Sequence, residues 1–261
     1  MSLKAIIRES DKVSESVLEK FPQNGEEAFD FHDAVIIGLF EDMIGKARAF
    51  NSLLEAKNGH ALDVVMRSFL ESYVYLSYIL EEDTPKRGRA YGYGSKLNDI
   101  KILNRLNENS RIGRKLREFL DISKEQVEVD YSDALDQEYQ KRIKDEYSLA
   151  IGSEETKRTW YNADGKTASF ETLCNNLGML SEYEFIYRIF SKEVHSTDAL
   201  SRMKFEGKEV LIGVFQKDAL LHSSMASLYL VEGGRKVLSF YNLKKELRQF
   251  NAMVKINHLI Q

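Results

Sequence analysis

Two prolines, Pro22 and Pro85, are all that a chain of 261 residues contains, and proline is the residue that a helix interior excludes, for want of an N–H and by ring clash. Long stretches of Leu, Glu, Lys, Ala and Ser therefore run without a strong breaker, which predicts an all-α protein. Turn signals divide it. Residues 3–20 predict an amphipathic lead helix closed by Phe21, Pro22 and Gly25, so residues 1–25 read as a helical arm over the core. Helices over 26–57 and 60–81, separated by Asn58 and Gly59, predict an antiparallel hairpin. The second helix is apolar on nearly every side, through Leu62, Val64, Met66, Phe69, Leu70, Val74 and Leu76, and is expected at the centre of a bundle. Residues 26–261 then form one helical domain, with its core in 26–82 and 160–200 and covering helices within 216–259, parted at Gly233 and Gly234.

The middle of the chain is less tightly specified. From Thr84 to Gly94 it is polar and glycine-containing, and Lys86, Arg87 and Arg89 interleave with Tyr91 and Tyr93. This segment reads as a solvated loop able to contact an RNA backbone and its bases. Gly92, Gly94 and Lys96 echo a phosphate loop without its spacing or a preceding strand. Helical periodicity resumes over 97–106 and 112–120, and the charged stretch 121–152 predicts an exposed helix or a mobile excursion. A loop over 160–166, a short helix over 169–177, a helix over 180–198 and a small hairpin over 205–212 follow.

Charge and composition exclude more than they select. A net charge of −4 gives no global signature of a nucleic-acid binder, so such a contact needs a local basic patch. The lone Cys174 excludes an intrachain disulfide and a thiol-rich zinc site, and suits a reducing compartment. Without a signal peptide or a long apolar run, the chain reads as soluble and cytoplasmic, with no membrane partner. Asp30, His32, Asp33 and His60 are potential metal ligands, but no His pair or Glu-x-x-His repeat supports a site, so they read as surface polar residues and no metal or cofactor is expected.

Two polar stripes carry the chemistry. At 100° per residue, Glu184, Arg188, Ser191 and His195 fall within about 60° of one another on the 180–198 helix. On the 60–81 helix, His60, Asp63, Arg67 and Glu71 fall within about 80° of one another. Arg67 and Glu71, spaced for pairing, predict a mutually satisfied and mostly buried ion pair that either fixes register or faces the first stripe across a cleft. For the first stripe the plain reading is a solvated face with a Glu184–Arg188 surface pair. Arg188 and His195 are separated by roughly 10 Å of helix rise, so converging on one phosphodiester favours a second copy of the helix, in a homodimer.

The spacing of Arg188 and His195 resembles the Arg-x(4–6)-His motif of the HEPN superfamily of helical proteins. The runs Arg67–Tyr73 and Tyr187–Ser191 with Val194 and His195 also resemble the two signature helices of an uncharacterised family of bacterial helical domains, over about residues 26–200. The resemblance implies a HEPN-like bundle and a metal-independent RNA endonuclease of the toxin or antiphage-defence kind, with an antitoxin or defence protein as partner. Arg188 and His195 would be catalytic, Ser191 a hydrogen-bonding helper, and Arg67 and Glu71 would position them. Tyr187, Glu184, Arg87, Arg89, Tyr91 and His60 would contact RNA. Where catalytic members commonly carry a polar residue after the Arg, this chain has Ile189. That departure and the net acidity favour a rival of another class, a non-catalytic module that recognises a nucleotide, a peptide or a protein.

Overall fold

The computed structural model describes residues 2–21, 29–56, 58, 61–153, 158–191, 203–207, 209–212 and 219–259. The fold is all-α with one small hairpin, and the chain divides into two compact units, Met1–Glu82 with Phe170–Gln261, and Asp83–Ser169. Within the stretch 26–261 that the sequence predicts as one domain, 83–169 forms a compact unit.

The first unit begins with α1 (Leu3–Lys20), α2 (Phe31–Glu55) and α3 (Leu62–Glu81). At the start of α2 the Asp30 carboxylate accepts from the Phe31 N–H at 2.6 Å, and the Asp33 carboxylate accepts from the Asp30 N–H at 2.9 Å. This reciprocal cap fixes where the helix begins. Asp33 is not a surface residue as read from sequence: it is buried and accepts from the Tyr241 hydroxyl at 2.8 Å. Burial pushes the Tyr241 hydroxyl up in pKa, and its bond to the Asp33 carboxylate pushes the same way.

α3 packs on α2, and Met66, Phe69, Leu70, Val74, Leu76 and Ile79 are fully enclosed with Phe40, Met43 and Ile44 of α2. Each such side chain contributes about 1.5–3 kcal/mol by leaving water. The central position expected for this helix is therefore observed, with Val64 its exposed exception.

The second unit holds α4 (Thr84–Asn107), α5 (Arg111–Leu120), α6 (Lys124–Asp130), α7 (Ser132–Leu135) and α8 (Gln137–Ile151). Here one expectation is overturned. Residues 84–94 are not a loop but the first half of α4, which opens with Pro85 in its first turn, where a missing N–H costs nothing. Gly88 and Gly92 are buried, and a Cβ on Gly94 would come within 3.1 Å of the Tyr147 ring, so the glycines serve helix packing. Of the two readings of 121–152 the exposed helix is the one observed: α6, α7 and α8 occupy it and bury only Val127, Ile143, Tyr147, Ala150 and Ile151. Buried Arg117 donates to the Leu106 carbonyl and, at 3.0 Å, to the Glu108 carbonyl, closing the end of α4.

The chain returns to the first unit with α9 (Phe170–Asn176), α10 (Leu180–Glu182) and a π-helical turn, Tyr183–Ile189. The hairpin pairs β1 (Met203–Glu206) with β2 (Glu209–Ile212) antiparallel around Gly207, as the sequence predicts. α11 (Ala219–Phe240) packs on α1, α2 and α3, and α12 (Lys244–Leu259) packs on α11 and α1. Gly233 and Gly234 do not part these helices. They lie inside α11, where a Cβ would come within 3.0 Å of Met43 and of Phe250 respectively. The break falls at Asn242, in the left-handed region at φ 56°.

Candidate functional site

α3 turns its polar stripe toward partners on α11 and the π-helical turn. Asp63 meets His222 of α11, with Oδ1 2.6 Å from Nε2. The His222 ring is buried and stacked on Phe190 at 4.9 Å and 14° and on Phe50 at 6.1 Å and 21°. One turn along, Arg67 lies over the Tyr187 ring, 4.3 Å from its centroid, and donates to the Tyr187 hydroxyl at 2.9 Å. The charged fork thus gains a cation–π contact and a hydrogen bond from one residue.

The expected Arg67–Glu71 pair forms only loosely. Nε and Oε1 are 3.5 Å apart, the Arg67 Nε is buried without a hydrogen-bond partner, and the Glu71 side chain retains 32% exposure. The pair is thus mostly buried, as expected, with the Arg67 side chain 16% exposed, but it is not mutually satisfied, because Arg67 spends its fork on Tyr187. Burial raises the Glu71 pKa, against the opposing pull of Arg67 and Lys46. Lys46 of α2 is itself engaged: it donates to Asp42 at 2.6 Å and to Ser72 at 2.7 Å, while Ser72 donates to Asp42 at 2.6 Å. This network joins α2 to α3 beside Glu71.

The π-helical turn alters the second stripe. Its i→i+5 bonding widens the backbone, so the 100° step that aligned Glu184, Arg188 and Ser191 does not hold through Tyr183–Ile189. The widened turn buries Ile186, stacks Tyr183 on Tyr187 at 5.2 Å, and sets Tyr187 4.7 Å from Phe170. Tyr187, expected to contact substrate, is therefore held between Arg67, Tyr183 and Phe170. Ser191 donates to the Tyr187 carbonyl, closing the turn. Arg188 remains on the solvent side, with 61% of its side chain exposed, and donates to both Glu184 oxygens at 3.0 and 2.8 Å.

The fold brings together Arg67, Glu71 and Tyr187, and carries Glu184, Arg188 and Ser191 on the same turn. His195 and His60 lie outside the described residues. Arg87, Arg89 and Tyr91 lie on α4, in the other unit. His222 was missed by reading the sequence, being 159 positions from Asp63. The one signal was Asp63 itself, a carboxylate on a largely apolar helix that needed a partner. No group of three or more His, Cys, Asp or Glu able to hold a metal occurs among the described residues, and no described helix is long and apolar enough to cross a membrane. The Cys174 thiol is buried, which pushes its pKa up to about 12 and keeps it from acting as a nucleophile at neutral pH.

The chain matches the model of a family of unknown function (DUF5677) over residues 33–209, from the first turn of α2 to the hairpin, and it belongs to that family. The resemblance to an uncharacterised helical family is met at that level. No curated protein and no solved structure matches it.

Proposed function

We propose that the chain, as a member of that family, is a metal-independent RNA endonuclease of the HEPN kind, acting as a toxin or in antiphage defence, with its reactive groups on the 183–195 stretch. One observation carries the reading: Tyr187 is clamped to α3 by Arg67, while Arg188, next in sequence, stays on the solvent side in an exposed pair with Glu184. A cation on a braced backbone can meet a phosphodiester with little reorganisation.

In this chemistry His195 takes the proton of a ribose 2′-OH, whose oxygen attacks the adjacent phosphorus, and the bond from phosphorus to the 5′-oxygen breaks as that oxygen takes a proton back from the His195 imidazolium or from water. Arg188 offsets the charge on the non-bridging oxygens. The nucleophile is part of the substrate, so the step requires no metal-bound water. Arg67 and Glu71 are positioning residues acting through Tyr187, and Ser191 steadies the turn.

A two-fold homodimer fits the same reading. Phe185 and Ile189, 44% and 47% exposed, flank Arg188 and supply apolar surface for a second copy whose His195 complements it. Sedimentation showing only monomer while cleavage persists would remove the dimer from the mechanism.

A second reading rests on Glu184, which engages Arg188 with both oxygens and neutralises it, as suits a non-catalytic module binding a nucleotide, a peptide or a partner protein. Incubating the purified chain with total RNA separates the two. The enzyme reading expects cleavage that EDTA leaves intact, ends bearing 2′,3′-cyclic phosphate, and a loss of about 10²–10⁴-fold in His195→Ala, the usual contribution of general acid–base catalysis. Folded protein that cleaves no RNA turns the assignment to the binding module.

A further inference from the structure

The Asp83–Ser169 unit contains a cleft of about 350 Å³ between α4, α8 and the turn at 158–160, within the size range of small-molecule sites. Its wall is built. The Tyr147 hydroxyl donates to the Arg158 carbonyl at 2.6 Å, fastening the turn to α8. Trp160 stands edge-on to Tyr91 at 5.0 Å and 89°. Gly94 makes the approach feasible, because a Cβ there would come within 3.1 Å of Tyr147 and 3.4 Å of Trp160.

The charge of the lining is one-sided. Among the described residues Lys101 and Arg158 border the cleft and no carboxylate does, although the chain as a whole carries a net charge of −4. Cations select an anion, and the faces and edges of Trp160 and Tyr91 select a planar ring. Ser95 and Asn98 add hydrogen-bonding groups on the same wall.

We propose that this cleft binds a free mononucleotide, its base against Trp160 and Tyr91 and its phosphate between Lys101 and Arg158. The cleft is built from residues of the Asp83–Ser169 unit alone, and its binding does not depend on ribonuclease activity.

Trp160 is the only tryptophan in the chain, so its emission reports on the cleft alone. Titrating the full chain with AMP or UMP, followed by Trp160 fluorescence and by calorimetry, is expected to give saturable binding. Lys101→Ala and Arg158→Ala should each weaken it about tenfold or more, the effect of losing one charge-assisted contact, with circular dichroism and melting unchanged. Lys101→Glu, at an exposed position, should weaken it further without threatening the fold. Adenosine alone and inorganic phosphate alone should each bind more weakly than AMP. The proposal is overturned if neither method detects AMP at millimolar concentration, or if Lys101→Glu binds as wild type does. It is equally overturned if inorganic phosphate matches AMP, which would leave an anion site only, or if a single-stranded RNA oligonucleotide outcompetes AMP, which would make the cleft a strand contact.

Discussion

Two polar stripes of the same unit, on α3 and on the π-helical turn, read alike in sequence and behave differently in the fold. On α3, Asp63 and Arg67 each reach a residue of another element, His222 and Tyr187. On the π-helical turn, Glu184 and Arg188 satisfy each other in place and stay exposed. Desolvation makes the difference: a charge on a buried helix must find partners across the core or lose more than it gains, whereas an exposed pair is nearly indifferent to its neighbours. A charge that the fold does not need is free to serve chemistry. The α3 stripe should therefore govern stability and the π-helical turn should govern activity.

The largest expected effect tests that division directly. Arg188→Ala should reduce RNA cleavage by about 10²–10³-fold, the loss typical of removing one group that stabilises charge in the transition state. Its melting temperature should match wild type. A variant that melts early and cleaves in proportion to its folded fraction would place Arg188 among the structural charges.

Next comes Asp63→Ala, which leaves the buried His222 ring nitrogen without its partner. The cost should be about 1–3 kcal/mol, the penalty for a stranded polar group, read as a lowered denaturant midpoint at constant m-value. An unchanged midpoint would mean that water replaces the carboxylate and that the two stripes are not distinct.

How much of this contrast was readable beforehand follows the range of the interactions. The apolar periodicity of 62–79 is local and gave the central helix directly. The glycines at 94, 233 and 234 read locally as loops, because nothing nearby in sequence shows that Tyr147, Met43 and Phe250 need the space. At the candidate site both stripes were visible as helical spacing, but their orientation was not. The π-helical turn has no signature in residue spacing, and the partners of Asp63 and Arg67 lie more than a hundred positions away.

Glu71 sharpens the comparison through pH. Its pKa is raised in the folded state above the ordinary 4.5, so the native state binds that proton more tightly than the unfolded chain does. The associated stability is complete below the ordinary value and is lost as pH rises through the raised one. Glu71→Gln, which never ionises, should therefore be more stable than wild type at pH 7 and converge with it near about pH 4. Were the variant less stable at pH 7, attraction to Arg67 would outweigh burial and the pair would count among the fold's supports.

The smallest expected effect is at Glu184, and it probes the other half of the contrast. Its pair with Arg188 is exposed on both sides, and such i,i+4 pairs contribute about 0.3–0.5 kcal/mol. Glu184→Gln should thus melt with wild type, and what little difference exists should vanish at high salt as screening removes it. The effect on RNA should have the opposite sign. With its carboxylate partner gone, Arg188 presents an undiminished positive charge, so RNA should bind about twofold more tightly, the equivalent of the same few tenths of a kcal/mol. A loss of stability above about 1 kcal/mol would exceed what an exposed pair contributes and would make Glu184 an anchor of the π-helical turn, as Arg67 is from the α3 side. Weaker RNA binding would mean that Glu184 holds Arg188 in its working orientation instead of competing for it.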